Sequence, residues 1–272
     1  MAFDNILRQL ADKQIILPIL ENQMRADDWP ESFTVTVDSS PYYGLNADGS
    51  PDGYFHPSTH PMRTARQLYY EFHPEHRKSI EHEPFSLQRL MTLSVGTSIH
   101  AILQTQMQMT GLVGEDDLEV EYLNREHHVR GRADMVVHHP TEGPVMVEIK
   151  TRNSRRFDTT TIETMPSWQA QLSLACHNLS EQYDHDFRYG ILLMAESGWP
   201  FRLKELRVER NDRLLDEIYR KFDFVRESIA QNTPPPLCCG YDSPEMRGCH
   251  ARHACWLREV RSNEQHPAGG PL

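Results

Sequence analysis

Apolar residues recur every three or four positions in several stretches of the chain, which is the spacing of a helix with one buried face. This spacing predicts helices over residues 3–25, 62–72, 86–109, 167–179 and 211–230. Three consecutive prolines at 234–236 end the last helix, because proline lacks the backbone donor that a helix requires. Residues 38–60 are dense in Pro, Gly, Asp and Ser and predict a long loop.

The middle of the chain changes to the patterns of strands. Residues 118–123 (LEVEYL) alternate acidic with apolar side chains, which is the period of a half-buried strand. Apolar runs predict further strands over 129–137, 145–151, 189–194 and 201–208. The order helix, three strands, helix, two strands, helix predicts an α/β fold with a mixed sheet.

Composition and charge narrow the functional class. The chain has 272 residues and a formal net charge of −11, which argues against a histone-like or polybasic nucleic-acid binder. A nuclease is compatible with that charge, because its active site needs carboxylates for metal and only a local basic track for phosphate. No apolar run approaches the roughly 20 residues that span a membrane, and the first 20 residues lack a signal-peptide pattern. We therefore expect a cytoplasmic protein with no membrane partner.

Glu148 and Lys150 stand two positions apart on the strand predicted over 145–151, so both side chains point to one face. A carboxylate at this place can bind Mg²⁺ or Mn²⁺, which prefer oxygen ligands. The ammonium group can position water or offset charge during phosphodiester hydrolysis. A surface ion pair at a strand edge is the alternative interpretation of this spacing.

Two further residues suit the same chemistry. Asp134 ends the sequence GRAD one hairpin earlier, and antiparallel pairing of the two strands would bring its carboxylate beside Glu148. His100 follows Gly96 by one helical turn in GTSIH, and its imidazole would make the site compatible with Mn²⁺. A turn or cap role for Asp134 and a structural role for His100 are the alternatives.

In their order and spacing, GTSIH, GRAD and VEIKT resemble the helix motif and the two strand motifs of the PD-(D/E)XK nuclease superfamily, specifically its RecB-like branch, which includes CRISPR-associated and phage exonucleases. The resemblance covers about residues 56–255. It implies a restriction-endonuclease-like core with a mixed central sheet flanked by helices, and a cysteine-rich C-terminal tail. The chain would divide into an N-terminal helical region and loop (1–84), a nuclease core (85–232) and a metal-binding tail (233–272).

The resemblance also implies an activity and a site. The expected protein is a Mg²⁺- or Mn²⁺-dependent deoxyribonuclease, an exonuclease on single-stranded DNA or duplex ends in recombination, repair or phage DNA processing. It would work in a bacterial or phage-infected cell, beside a helicase, recombinase or single-strand-binding partner. A DNA-binding or assembly subunit that keeps the fold without cutting is the alternative. The implied catalytic residues are Asp134, Glu148, Lys150 and Gln171, and the implied metal ligands are His100, Asp134, Glu148 and Ile149.

Two segments depart from the family pattern. The family's Gln-x-x-x-Tyr helix motif is represented here by Gln171, but Ala175 stands at the tyrosine position. In PSTHPMRTARQLYYE, Thr64–Arg66 stands where the family has Cys-Pro-Arg. We expect Arg66 to contact phosphate and Tyr69 to stack on a base, with core packing as the alternative for the tyrosine.

A basic run follows the Glu-x-Lys strand directly. Arg152, Arg155 and Arg156 form the best local basic track of an acidic chain, and their placement predicts contacts with nucleic-acid phosphates. A solvated loop is the alternative interpretation.

Four of the five cysteines crowd near the C-terminus, and clustered cysteines in a reducing compartment more often bind metal than form disulfides. The resemblance implies an iron–sulfur cluster; the absence of an early cysteine favours Zn²⁺, with His60, His250 or His253 as further ligand candidates. Unligated cysteines, or a zinc-bound interaction module on an inert core, are the alternatives. The expected tail ligands are Cys238, Cys239, Cys249 and Cys255, whereas Cys176 is expected in the core.

Overall fold

The computed structural model describes residues 14–25, 32, 34–35, 52–77, 80, 86–240 and 243–255. Helices in these ranges are α1 (Leu17–Met24), α2 (Ala65–Phe72), α3 (Leu87–Met109), α4 (Ser154–Phe157), α5 (Pro166–Gln182), α6 (Asp212–Ala230) and α7 (Pro244–Arg247). The strands are β1 (Leu118–Asn124), β2 (Val129–His139), β3 (Gly143–Arg152), β4 (Tyr189–Glu196) and β5 (Leu203–Glu209). A short 3-10 helix, Glu115–Asp117, precedes β1.

The five strands form one sheet in the order β1-β2-β3-β4-β5. Neighbouring strands are antiparallel except β3 and β4, which run parallel and are joined through α4 and α5. The predicted α/β class, the mixed sheet and the flanking helices are therefore confirmed. None of the described helices combines the length and the apolarity needed to cross a membrane.

Each face of the sheet carries its own apolar core. On one face, side chains such as Met146 and Leu192 pack against α5 and α6. On the other face, Val147 and Ile149 pack with residues of α1 and α3. Because consecutive strand residues point to opposite faces, β3 is buried on both sides from Val145 to Ile149, and its last three residues are partly exposed.

Most sequence predictions of elements agree with the structure, and their ends differ by a few residues. Ser86 begins α3 because its hydroxyl accepts a hydrogen bond from the backbone amide of Arg89. Thr64 likewise caps α2 in a capping box with Gln67, so this helix begins at Ala65, three residues later than predicted. The predicted helix over 3–25 is described only from residue 14 onward, and residues 38–51 of the predicted loop lie outside the described ranges.

Candidate active site

The strands β2 and β3 separate at one point, and the candidate catalytic residues lie there. Their pairing ends at Met135 opposite Val147. Beyond that pair, β2 continues along β1 and β3 continues along β4. Asp134 and Glu148 are the first residues past this fork, so the predicted antiparallel hairpin does bring the two carboxylates to the same place.

Asp134 bridges the fork with its side chain. Its Oδ2 atom accepts a hydrogen bond from the backbone amide of Ile149 at 2.5 Å, in place of the ladder partner that β2 no longer supplies. Nδ1 of His100 on α3 lies 3.5 Å from the same oxygen. Burial opposes the charge of Asp134, but His100 and Lys150 outweigh it and lower the pKa of this carboxyl group.

Helix α3 can reach the fork because a glycine faces the end of β3. A Cβ atom at Gly96 would lie 3.3 Å from Oγ1 of Thr151, which is tighter than ordinary packing. One turn later His100 meets Asp134, and burial, which lowers the pKa of His100, is outweighed by that carboxylate, so the pKa is raised. The GTSIH sequence therefore has a packing reason for its glycine and a site contact for its histidine.

Glu148 is 3% exposed, and it has one satisfied oxygen and one unsatisfied oxygen. Its Oε1 accepts hydrogen bonds from Nζ of Lys150 and from Nε2 of Gln171, both at 2.6 Å. Its Oε2 is buried and has no hydrogen-bond partner among the described residues. Burial, together with the charge of Asp134, raises the pKa of Glu148 to about 7.

Lys150 and Gln171 converge on Glu148 from the strand and from α5. Burial disfavours the charged form of Lys150, but the carboxylates of Glu148 and Asp134 outweigh this effect and raise its pKa. The ammonium group therefore stays protonated. Gln171 is buried. Ala175, which stands where the family has a tyrosine, packs in the core. The four residues predicted to be catalytic thus lie together in the structure.

Two residues at this site were not identified from the sequence. Nε2 of Gln104 donates hydrogen bonds to the backbone oxygen of Asp134 at 2.8 Å and to Oε1 of Glu119 at 2.7 Å. Burial and the nearby Asp134 raise the pKa of Glu119, which also pairs with Arg132. Gln104 follows His100 by four residues on α3, so helical spacing was the available signal for it.

The basic track of the sequence divides into two kinds of arginine. Arg155 and Arg156 are exposed on the short helix α4. The guanidinium of Arg152 instead stacks 4.5 Å from the ring centroid of Trp168, and its Nη2 atom contacts Sδ of Met165 at 2.7 Å. Arg155 and Arg156 are thus open to a phosphate, whereas Arg152 is partly committed to packing.

The expected nucleic-acid contacts of Arg66 and Tyr69 do not fit their positions. Arg66 is 4% exposed and Tyr69 is fully buried, so neither reaches a polyanion in solvent. Arg66 donates hydrogen bonds to Sγ of Cys255 at 2.9 Å and to the backbone oxygen of Pro235 at 2.5 Å. This part of the prediction is wrong, because α2 faces the C-terminal tail and not the fork.

The four tail cysteines line one cavity beside α2, together with Arg66 and Gln67. Sγ of Cys238 and Sγ of Cys239 are 4.0 Å apart, and Nε2 of Gln67 donates to Sγ of Cys249 at 3.4 Å. The imidazoles of His60 and His250 face Glu71, at 3.7 and 3.5 Å. Cys176, by contrast, is fully buried in the core, and burial raises its pKa to about 12.

As placed, the described residues contain no group of three or more His, Cys, Asp or Glu side chains close enough to hold a metal ion. The fork nevertheless fits a hard cation in its donor chemistry. It contains a histidine nitrogen and two carboxylates, and Oε2 of Glu148 is a buried acceptor that no described donor satisfies.

No protein-family model and no curated protein matches the chain. Several solved structures are similar to it, including the following two. One is a provisionally assigned exonuclease from Eubacterium rectale, with 9% identity over 75% of this chain and 91% of that chain and a TM-score of 0.45. The other is an alkaline exonuclease from Laribacter hongkongensis, with 15% identity over 78% and 95% and a TM-score of 0.42. Both neighbours bear the name exonuclease.

Proposed function

We propose that this protein is a metal-dependent nuclease that hydrolyses phosphodiester bonds in DNA. The observation that carries the proposal is the fork itself, where Asp134, Glu148 and Lys150 meet and one buried oxygen of Glu148 has no hydrogen-bond partner among the described residues. Buried charged groups are costly to keep unless they serve a ligand or a reaction. A structural ion pair would need neither the second carboxylate nor the unsatisfied oxygen.

In this proposal His100, Asp134, Glu148 and the backbone oxygen of Ile149 hold Mg²⁺ or Mn²⁺. Such an ion supplies an activated water and stabilises negative charge on the phosphate oxygens. Lys150 contributes a fixed positive charge at the same place, and Gln171 holds Oε1 of Glu148 so that Oε2 stays directed away from both donors.

The decisive experiment measures cleavage of end-labelled single- and double-stranded DNA with Mn²⁺ or Mg²⁺, and of closed circular DNA as a test of end dependence. We expect linear substrates to be cleaved and circular DNA to persist. Glu148→Gln and Lys150→Met should each lose at least about 100-fold in rate. Glu217→Gln, which alters an exposed residue of α6, is the matched control and should keep full activity.

Two outcomes would reject the proposal. Cleavage that persists in Glu148→Gln and Lys150→Met would show that the activity belongs to another site or a contaminant. A wild-type protein that binds DNA without cutting any substrate would favour the alternative, a DNA-binding or assembly subunit. The alanine at position 175 and the net charge of −11 are the observations in favour of that alternative.

We further propose that the tail cysteines bind an iron–sulfur cluster or Zn²⁺. Their shared cavity supports this, as do the N–H donors of Arg66 and Gln67 directed at two of the sulfur atoms, since hydrogen bonds to thiolates tune and stabilise such sites. Metal analysis and visible absorption of anaerobically purified protein separate the choices: a brown protein containing iron favours the cluster, and a colourless protein containing zinc favours Zn²⁺. Protein that contains neither metal contradicts the proposal.

A further inference from the structure

A pair of aromatic side chains stands in solvent at the same end of the sheet as the fork. The loop between β4 and β5 presents Trp199, whose exposed fraction is 84%, and Phe201, whose exposed fraction is 60%. Trp199 is the most exposed large hydrophobic side chain in the described part of the chain. Burial of such side chains would stabilise the fold, and these two side chains forgo that stabilisation.

Several hydrogen bonds hold the loop in place and fasten it to the segment after β3. The backbone amide of Ser197 donates to the backbone oxygen of Arg152 at 2.8 Å, and Oγ of Ser154 lies 3.5 Å from the backbone oxygen of Trp199. The amide of Phe201 donates to the oxygen of Gly198 at 2.7 Å. The two aromatic rings are perpendicular, with centroids 6.4 Å apart. The loop that carries Trp199 and Phe201 is therefore held in place by hydrogen bonds.

The backbone at Phe201 has an uncommon conformation. Its φ is +61°, in the left-handed region that favours glycine and is unfavourable for other residues. A bulky aromatic residue at such a position is uncommon and is maintained only when its surroundings fix it. The strain places an aromatic ring in solvent, where it gains nothing for folding.

Sheet register places the loop beside the catalytic strand. Lys150 on β3 is level with Met194 on β4, and Arg152 is level with Glu196. The loop therefore leaves the sheet about 7 Å beyond Lys150, counted as two residues of strand.

The charges around the loop suit a polyanion. Arg155 and Arg156 are exposed on α4, whose first residue, Ser154, contacts the loop. Arg202 pairs with the neighbouring carboxylates Glu196 and Asp158, with contacts of 2.9 Å to each, so its single charge offsets one of the two. In a chain with a net charge of −11, this is a local positive surface beside an aromatic pair, the combination that binds single-stranded nucleic acid.

We propose that Trp199 and Phe201 form a stacking platform for unpaired bases of the substrate strand, with Arg155 and Arg156 on its phosphates. This inference rests on the proposed nuclease function and deepens it, because it names single-stranded DNA, or the frayed end of a duplex, as the form that enters the site. Base stacking on aromatic side chains does not discriminate among bases, so the platform confers strand preference and no sequence preference.

The test measures binding without cleavage. In a Glu148→Gln background with EDTA present, the affinity for a fluorescent 12-nucleotide single strand is compared with that for a blunt duplex of the same length, by anisotropy. Trp199→Ala should weaken binding of the single strand about 5- to 100-fold, and change duplex binding less than about 2-fold. Trp199→Phe should retain most of the affinity. Phe224→Ala, another exposed aromatic residue on α6, is the matched control and should have no effect.

The arginines are tested by salt dependence. Arg155→Ala and Arg156→Ala should each reduce the slope of log affinity against log salt by about 0.7 for a single strand, whereas Trp199→Ala should leave the slope unchanged. Equal single-strand affinity in Trp199→Ala and Phe224→Ala would overturn the platform. Because the binding measurement requires no cleavage, a wild-type protein that cuts no DNA would reject the nuclease proposal separately and leave this result interpretable.

Discussion

Oδ2 of Asp134 accepts a hydrogen bond from the backbone amide of Ile149 across the fork between β2 and β3. The same carboxylate therefore bridges the two strands and belongs to the candidate site. Asp134→Asn keeps an oxygen that can accept this hydrogen bond but removes the charge that a cation needs. We expect the variant to fold and to lose at least about 100-fold in cleavage rate. It should also lose the rise in melting temperature that Mn²⁺ produces in the wild type.

The exposed Asp216 on α6 offers the matched control, because Asp216→Asn makes the same chemical change far from the fork. Thermal melts with and without Mn²⁺ should show the shift in this control and in the wild type. A shift that persists at full size in Asp134→Asn would place the metal elsewhere.

Gln171 donates a hydrogen bond to Oε1 of Glu148 at 2.6 Å and would act through that carboxylate, so it is a positioning residue. Gln171→Ala should lower kcat about 10- to 100-fold and leave KM for DNA nearly unchanged. Gln171→Glu should be at least as damaging, because a third carboxylate would repel Glu148. Steady-state kinetics with Gln169→Ala, on the same helix, provide the control; an equal loss in that variant would mean that α5 tolerates no change.

Some residues of this site could be predicted from the sequence and others could not. Glu148 and Lys150 were predictable because strand periodicity is local, and Asp134 because a hairpin is nearly local. Arg66 was misassigned because its partners, Pro235 and Cys255, lie 169 and 189 residues away along the chain, and no local pattern reports such contacts. The fork between β2 and β3 could not be predicted either, because strand patterns predict pairing but not the residue at which pairing stops.

Arg66 now carries a different prediction. Its buried guanidinium joins α2 to the tail, so Arg66→Met should release the tail while leaving DNA binding nearly unchanged. Limited proteolysis should cut the variant after residue 232 faster than the wild type, and any iron or zinc in the tail should fall in amount. Arg63→Met, an arginine of the same region that binds Glu71, is the control. A tenfold loss of DNA affinity in Arg66→Met alone would restore the phosphate-contact interpretation.

Gly131 makes room for the ring of Tyr122, its partner across the β1–β2 ladder. A Cβ atom there would lie 2.2 Å from the Tyr122 ring, which is buried and cannot move freely. Gly131→Ala should therefore destabilise the protein by about 1–3 kcal/mol. Gly240→Ala is the control, since a Cβ atom at that position meets no atom of the described residues within 4 Å. Urea unfolding measures both, and equal midpoints would show that the ring yields at no cost.

Lys221 on α6 gives the protein a pH dependence in the alkaline range. Burial lowers its pKa from the ordinary value of 10.5 to about 8, although Nζ donates to the backbone oxygen of Pro61. Between these two values the unfolded chain holds a proton that the folded chain has released, so the Lys221 contribution makes stability rise with pH.

Lys221→Met removes the titrating group and keeps much of its apolar stem. The variant should exceed the wild type in stability by the largest amount below pH 8, and this difference should shrink as the pH approaches 10. Urea unfolding at pH 7, 8, 9 and 10 gives the comparison, with Arg220→Met on the exposed side of α6 as control. A difference between Lys221→Met and wild type that stays constant from pH 7 to 10 would mean that Lys221 titrates at its ordinary pKa and that its burial costs the fold nothing.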